Sequence, residues 1–465
     1  MQQIIFPKRI VKSGNVKEVK NLLIKKDLQI DLYEPRVSIF ESGYVILDFG
    51  KEMCGGIHIL THSSDMKNVR VRFGESLTEC SAELGGAQNA TNDHSPRDII
   101  SFVPRYSNLS LGQTGFRFVR LDFSGNVRVK SVYAVSNIYK KPMIYNYKGD
   151  DKLIKKIFDT AKRTGDLCAS SGLFWDGVKR DRLVWGGDLV YGGLGLTAIY
   201  GKTDVVENTI DYIREHSPLP YWTNIHYFGG SFMWIIAVAN YLIETNRVDF
   251  VKKQIPYIKG LVGQMLKHVG ENGEWKYPEG LFDWTAKGNE NDTLVGLRAT
   301  NILCAKASVF LFEKFGEDSS DAKDLLTRLL KVPMNVESSK AALAIKHFAV
   351  GLTEEDKQKL VAGGAKGFSP SLCYFILTAI ASFDKQKAID IMKEYFGAML
   401  DKGATTFWEG FEIEWAEGSS RIDRFPKKGQ KDIHGDFGKE CYVGFRNSLC
   451  HGWGASLLRF IKETC

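Results

Sequence analysis

The spacing of apolar and polar positions changes once along the chain. From residue 1 to about 140 the apolar residues come in short runs with partial alternation. "GYVILDFG", "GGIHILTH", "NVRVRFG", "DIISFVPRYS", "FRFVRLDFSG" and "NVRVKSVYAV" are rich in β-branched and aromatic residues and are punctuated by Gly, Asn, Asp and Ser. Such runs predict strands, and many short strands with turn signals predict a sandwich. Near Tyr145 the period becomes helical. "GDDKLIKKIFDTAKRTGDLCAS", "TDVVENTIDYIREH", "GSFMWIIAVANYLIETN", "DTLVGLRATNILCAKASVFLFEKFG", "DKQKAIDIMKEYFGAML" and "NSLCHGWGASLLRFIKETC" carry apolar residues at i, i+3, i+4 and i+7. Asp, Ser and Thr stand where N-caps are needed. The pattern predicts about a dozen helices, mostly in pairs, with no strands between them. They share no strict sequence repeat, which favours a closed toroid of six helical hairpins over an open solenoid. The expected fold is therefore a multidomain β + α chain, with a β-sandwich over 1–143 and an (α/α)6 helical toroid over 144–465.

Composition narrows the function. At 465 residues the chain is too long for one ordinary core, in keeping with two domains. The net charge of +7 reflects 62 basic against 55 acidic residues, and the Lys-rich stretches alternate with apolar positions. They read as solvated faces, so no nucleic-acid partner is expected. The eight cysteines are scattered without a C-x-x-C pair, and the nine histidines are dispersed without H-E-x-x-H. Neither a disulfide framework nor a metal site is expected. No P-loop, dinucleotide fingerprint or G-x-S-x-G elbow occurs, so no cofactor is expected. No apolar run reaches the ~18 residues that a membrane span requires. The opening "MQQIIFPKRIVKSGN" lacks a signal peptide's apolar core, so the expected location is cytoplasmic, or periplasmic where a signal has been removed.

Four long connections between the helical runs, 171–189, 217–229, 271–290 and 404–440, are rich in aromatics. The first, third and fourth are also rich in carboxylates. In a toroid the loops meet at one end, where a cleft forms. "SGLFWDGVKRDRLVWGGDL" gathers Asp176, Asp181 and Asp188 among Lys179, Arg180 and Arg182, between Trp175 and Trp185. Aromatic faces beside carboxylates suit a sugar, whose C–H bonds stack on rings while its hydroxyls bond to acids. An Asp–Arg structural network would use the same residue types. Inverting glycoside hydrolysis needs a second carboxylate to activate water, and "ATTFWEGFEIEWAEG" offers Glu409 beside Trp408. The alternative is that Glu409, Glu412, Glu414 and Glu417 form one solvated acidic segment. "NSLCHGWGAS" adds His451 and Trp453 as residues that could cap the cleft.

These segments resemble, in order, the motifs of the bacterial α-L-rhamnosidases, glycoside hydrolase family 78, in the six-hairpin glycosidase superfamily. The family pattern is roughly D-x-P-x-R-E-x-x-G-W-x-G-D, and D-G-V-K-R-D-R-L-V-W-G-G-D aligns with it without a gap. The resemblance puts Asp176 on a sugar-binding Asp, Asp181 on the general acid and Asp188 on the closing Asp, with Arg180, Trp185 and Gly187 coinciding. "TTFWE" resembles the family's T-T-x-W-E and puts Glu409 on the general base. "SLCHGWGAS" resembles its S-L-x-H segment and puts His451 against the sugar. "LFDWTAKG" resembles its G-D-W loop, adding Asp283 and Trp284. Trp222 and Trp408 complete the expected pocket lining. "VRFGESLTE" and "GFRFVRLDF" are similar to the sheet domain ahead of the barrel.

The chain departs from the pattern at Val178 for the proline, Val184 for a glycine and Asp181 for the acidic Glu, one methylene shorter. A C-terminal sheet domain common in the family is expected to be absent. The resemblance implies an inverting exo-glycosidase acting on terminal α-L-rhamnosyl groups of an oligosaccharide or glycoside. The alternatives are a toroid glycosidase for glucuronyl or arabinosyl residues, or a sugar-binding relative without catalysis.

Overall fold

The computed structural model describes all residues except 94, 180, 224–226 and 439–441. The N-terminal region is one antiparallel sheet. Its strands are β1 (Gln2–Ile5), β2 (Arg9–Lys17), β3 (Ser38–Ser64), β4 (Asn68–Gly74), β5 (Asp98–Phe102), β6 (Asn108–Phe123) and β7 (Asn126–Asn137). They run in the order β1-β7-β3-β6-β4-β5, with β2 also on β3. The runs at 43–50 and 55–62, expected as two strands, are parts of β3. The pairing with β6 passes from Asp48↔Phe118 to Met53↔Phe116, so an irregularity absorbs the intervening "FGKE" residues without ending the strand. The start of β7 lies between the two ends of β3, because Val127 pairs with both Phe40 and Ser64. The strand therefore curls round an apolar core that includes Phe40, Leu47, Ile57, Phe73, Phe116, Val119 and Val132.

The helical region follows. Among the described residues twelve helices have seven residues or more. They are α1 (Lys152–Cys168), α2 (Leu194–Tyr200), α3 (Asp204–Glu215), α4 (Phe228–Thr245), α5 (Ile255–Lys267), α6 (Glu290–Phe315), α7 (Ser320–Leu330), α8 (Lys340–Val350), α9 (Glu354–Val361), α10 (Cys373–Ala381), α11 (Lys385–Asp401) and α12 (Leu457–Thr464). Several begin on caps visible in the sequence. Asp151 accepts from the amides of Leu153 and Ile154, Thr203 from Val206, and Thr353 forms a capping box with Asp356. Alternate helices touch in a closed circuit: α2 on α4, α4 on α6, α6 on α8, α8 on α10, α10 on α12, and α12 back on α2. The other helices lie against that circuit, α7 on α6, α9 on α8, α11 on α10 and α1 on α12. The circuit's α4 and α10 are among the most apolar of these helices. α6 is long and apolar enough to cross a membrane, yet most of its apolar stretch is buried inside the protein.

One expected helix is shorter than its sequence suggests. "NSLCHGWGAS" is not α-helical, and only Leu457–Thr464 is. The segment instead pairs with 406–409: the Glu409 amide donates to the Ser448 carbonyl and the His451 amide to the Phe407 carbonyl. Its glycines permit close approach, since a side chain at Gly454 would meet Cβ of Phe407 at 2.7 Å.

Candidate active site

A cavity of about 470 Å³ opens where the long connections meet. All four contribute, through Asp176, Asp181, Trp185 and Asp188, then Tyr227, then Asp283 and Trp284, then Glu409. His451 and Trp453 close it from the segment before α12.

The 171–189 connection is organised around Asp176. One of its oxygens accepts from the amides of Gly177 (2.6 Å) and Leu183 (3.0 Å), the other from Trp185 Nε1 (3.1 Å). The carboxylate thus ties the loop's start to its far limb and sets the Trp185 ring at the cavity wall. Between those anchors the backbone turns left-handed at two successive residues, Asp181 (φ 60°) and Arg182 (φ 55°). Such positions cost about 1–3 kcal/mol each and collect at functional sites. Asp enters this region more readily than longer side chains, which suits Asp181 to its place. Arg182 is held by the carbonyls of Val178 and Gln113 and lies over the Trp175 ring. The loop ends on Gly186, where any Cβ would stand 2.4 Å from the Gly230 carbonyl in α4.

Glu409 is buried, whereas Glu414 and Glu417 are exposed, so the acidic segment divides at the cavity wall. The Ser448 amide donates to Glu409 Oε2 at 2.9 Å. His451 stands between two carboxylates: its Nε2 is 3.6 Å from Glu409 Oε1 and its Nδ1 3.6 Å from Asp188 Oδ1. Its ring stacks on Trp453 with centroids 3.6 Å apart. Asp188 Oδ1 is buried without a hydrogen-bond partner among the described residues. Burial, and then the nearby Glu409, raise its pKa to about 7. Burial followed by the charge of Asp188 raises Asp176 well above the carboxylate range.

A raised carboxyl pKa makes folding less favourable as pH climbs from the group's ordinary range up to the raised value. Asp188→Asn should therefore raise Tm, with no gain near pH 4 and a full gain above pH 7. Each tenfold weakening of an acid is worth about 1.4 kcal/mol, so the gain is on the order of 2–4 kcal/mol. Thermal melts of both proteins from pH 4 to 8 check this; equal Tm values throughout would contradict it.

Asp283 lines the cavity and is also a structural hub. Ser369 (2.8 Å) and Ser371 (2.6 Å) donate to one oxygen, and the Thr285 amide to the other. Trp284 lines the cavity against Tyr442. Two expected lining residues do not reach it. Trp222 packs against Phe228, His268 and Tyr277, and Trp408 is buried against Phe411, its carbonyl accepting from Trp453. Residue adjacency misled for Trp408: in an extended segment neighbours point to opposite sides, so Glu409 faces the cavity while the indole beside it enters the core. Arg180 lies outside the described residues.

Tyr191, Tyr227, Tyr442 and Arg446 line the cavity without having been singled out in the sequence. Only Tyr227 carried a signal, as part of an aromatic connection.

Glu75, Glu79 and His434 are close enough together to hold a cation by spacing. The positive charge there is Lys179, whose Nζ is 3.1 Å from Glu75 and 3.3 Å from Glu79. His434 is kept neutral by burial, its pKa lowered to about 4, and bridges Ser76 Oγ and the Asn447 carbonyl.

No family model matches the sequence, and no curated protein matches it either. Solved structures do match in fold. A rhamnosidase from Klebsiella oxytoca with rhamnose bound is 19% identical, with a TM-score of 0.74 over 100% of this chain and 96% of that one. The GH78 rhamnosidase of Bacillus sp. GL1 is 16% identical, with a TM-score of 0.68 over 95% of this chain and 48% of that one. The Streptomyces avermitilis α-L-rhamnosidase complexed with L-rhamnose is 16% identical, with a TM-score of 0.66 over 90% of this chain and 42% of that one. The chain thus spans nearly all of the first and less than half of the other two. The fold is that of the α-L-rhamnosidases.

Proposed function

We propose that the protein is an inverting exo-glycosidase that removes terminal α-L-rhamnosyl groups from an oligosaccharide or glycoside. Asp181 gives a proton to the departing oxygen, and Glu409 takes one from the attacking water. Asp188, Asp176, Trp185, Trp284 and His451 hold the sugar. In this reading residues 1–143 are a β-sandwich domain, and the helical circuit of 144–465 is an (α/α)6 toroid carrying the site. The observation that carries the reading is the convergence of Asp181 and Glu409, from connections more than two hundred positions apart, on one aromatic-walled cavity. The fold shared with structures that hold rhamnose supports the choice of sugar.

One feature favours a second reading, a sugar-binding relative without turnover: the acid position carries the shorter Asp181 on a left-handed backbone. A panel of p-nitrophenyl glycosides separates the two. Hydrolysis of the α-L-rhamnoside above glucuronide and arabinoside is expected, and rhamnose binding without hydrolysis of any member would establish the binder. Asp188→Asn should also weaken rhamnose binding by about 1.5–3 kcal/mol, the worth of a hydrogen bond to a charged group. Calorimetric titration reads this directly, and parent-like affinity would remove Asp188 from the sugar contacts.

A further inference from the structure

The cavity residues sit on a buried ionic hub that the reaction itself does not use. Lys179 lies two residues before Asp181 and is buried. Besides Glu75 and Glu79, its Nζ donates to the carbonyls of Phe445 (2.6 Å) and Asn447 (2.7 Å). Glu75, fully buried at the end of β4, accepts from Ser448 Oγ (3.2 Å) through Oε1 and from the Leu449 amide (2.6 Å) through Oε2. Ser448 is the residue whose amide holds Glu409. Glu79 Oε2 accepts from the Glu75 amide at 2.7 Å, which fixes the turn carrying both glutamates.

The sheet also grips the acid-bearing loop directly. Thr114 Oγ1 donates to the Lys179 carbonyl at 3.0 Å, and any Cβ on Gly115 would stand 2.7 Å from the Lys179 amide. On the loop's other side, Gly177 bridges His451, and the Gly452 amide donates to the Asp176 carbonyl.

From this geometry we infer that Glu75 and Lys179 are positioning residues, through which the N-terminal sheet region sets the placement of Asp181 relative to Glu409. The inference rests on the glycosidase reading of those two carboxylates. One cation joins the acid-bearing loop to the 445–449 segment, and one carboxylate joins that segment to the sheet. Both reacting groups are thereby indexed to the same buried point rather than to their own loops alone. Buried ion pairs are poor sources of stability and well suited to fixing one arrangement. A small misplacement of a reacting group costs rate out of proportion to its size, while sugar contacts elsewhere in the cavity keep binding intact. The hub should therefore act on kcat and leave KM alone.

The test uses the full chain on aryl α-L-rhamnosides with a good and a poor leaving group. Glu75→Gln keeps the side chain's shape and removes its charge. It should lower kcat by about tenfold or more on both substrates, with KM within about twofold and an unchanged circular dichroism spectrum. Lys179→Met loosens both segments and should lower kcat further, most of all on the poor leaving group. Should Glu75→Gln fail to fold, Ser448→Ala takes its place with the same expected split, because it deletes one bond to Glu75 while keeping the amide that holds Glu409. A smaller loss of kcat, or a loss shared by KM, overturns the positioning role while the parent's activity keeps the glycosidase reading. A parent inert on every rhamnoside overturns that reading, and the positioning role with it.

Discussion

Glu409→Gln is expected to lower kcat about 10²- to 10⁴-fold on every α-L-rhamnoside, the range set by losing a general base. The loss should be the same for activated aryl and for alkyl or sugar leaving groups, because water attack needs its base whatever departs. The substitution keeps side-chain length, and the Ser448 amide at 2.9 Å can still donate to the amide oxygen, so the fold should persist and rhamnose should still bind. Steady-state kinetics on paired substrates check this. A variant within tenfold of the parent, or one impaired on poor leaving groups alone, would move the base elsewhere.

Asp181→Asn should behave in the opposite way. A nitrophenolate leaves with little protonic help, so its hydrolysis should fall modestly, whereas a glycoside with a sugar or alkyl aglycone should lose about 10²- to 10⁴-fold. The contrast is sharp because Asn fits the left-handed backbone at this position (φ 60°) as well as Asp does. The variant changes the proton donor and little else. Parallel measurement of the two substrate classes reads the contrast, and equal losses on both would pass the acid role to Asp176, another carboxylate of the same loop at the cavity.

Much of this was legible in the chain. β4 (Asn68–Gly74) coincides with the "NVRVRFG" run, and Thr203 and Thr353 mark helix starts where they stand. These features depend on local alternation and capping, which sequence carries directly. Asp176, Asp181, Asp188, Glu409 and His451 were legible because their residue types and order form motifs, and the structure brings all five to one cavity. The side on which a residue presents its ring is a tertiary matter. Trp408 turns into the core and Trp222 packs half-buried against it, while Tyr191 and Arg446 turn toward the cavity, without any local cue. The Glu75–Lys179–Glu79 hub was invisible for the same reason: Lys179 lies 100 positions beyond Glu79 and all three read singly as surface charges, yet all three are buried. The curl of β3 was hidden because the residues between its two apolar runs look like a turn, although β6 pairs across them.

The central claim is that Asp181 and Glu409 act from opposite faces of the sugar, so that hydrolysis inverts the anomeric centre. The most direct measurement is proton NMR of the first sugar released from an α-L-rhamnoside, recorded before mutarotation mixes the anomers. The account predicts that β-L-rhamnose appears first and the α anomer grows in later. Release of α-L-rhamnose as the first product would contradict it, since retention requires one carboxylate to attack the sugar and leaves no place for a base-activated water in the first step.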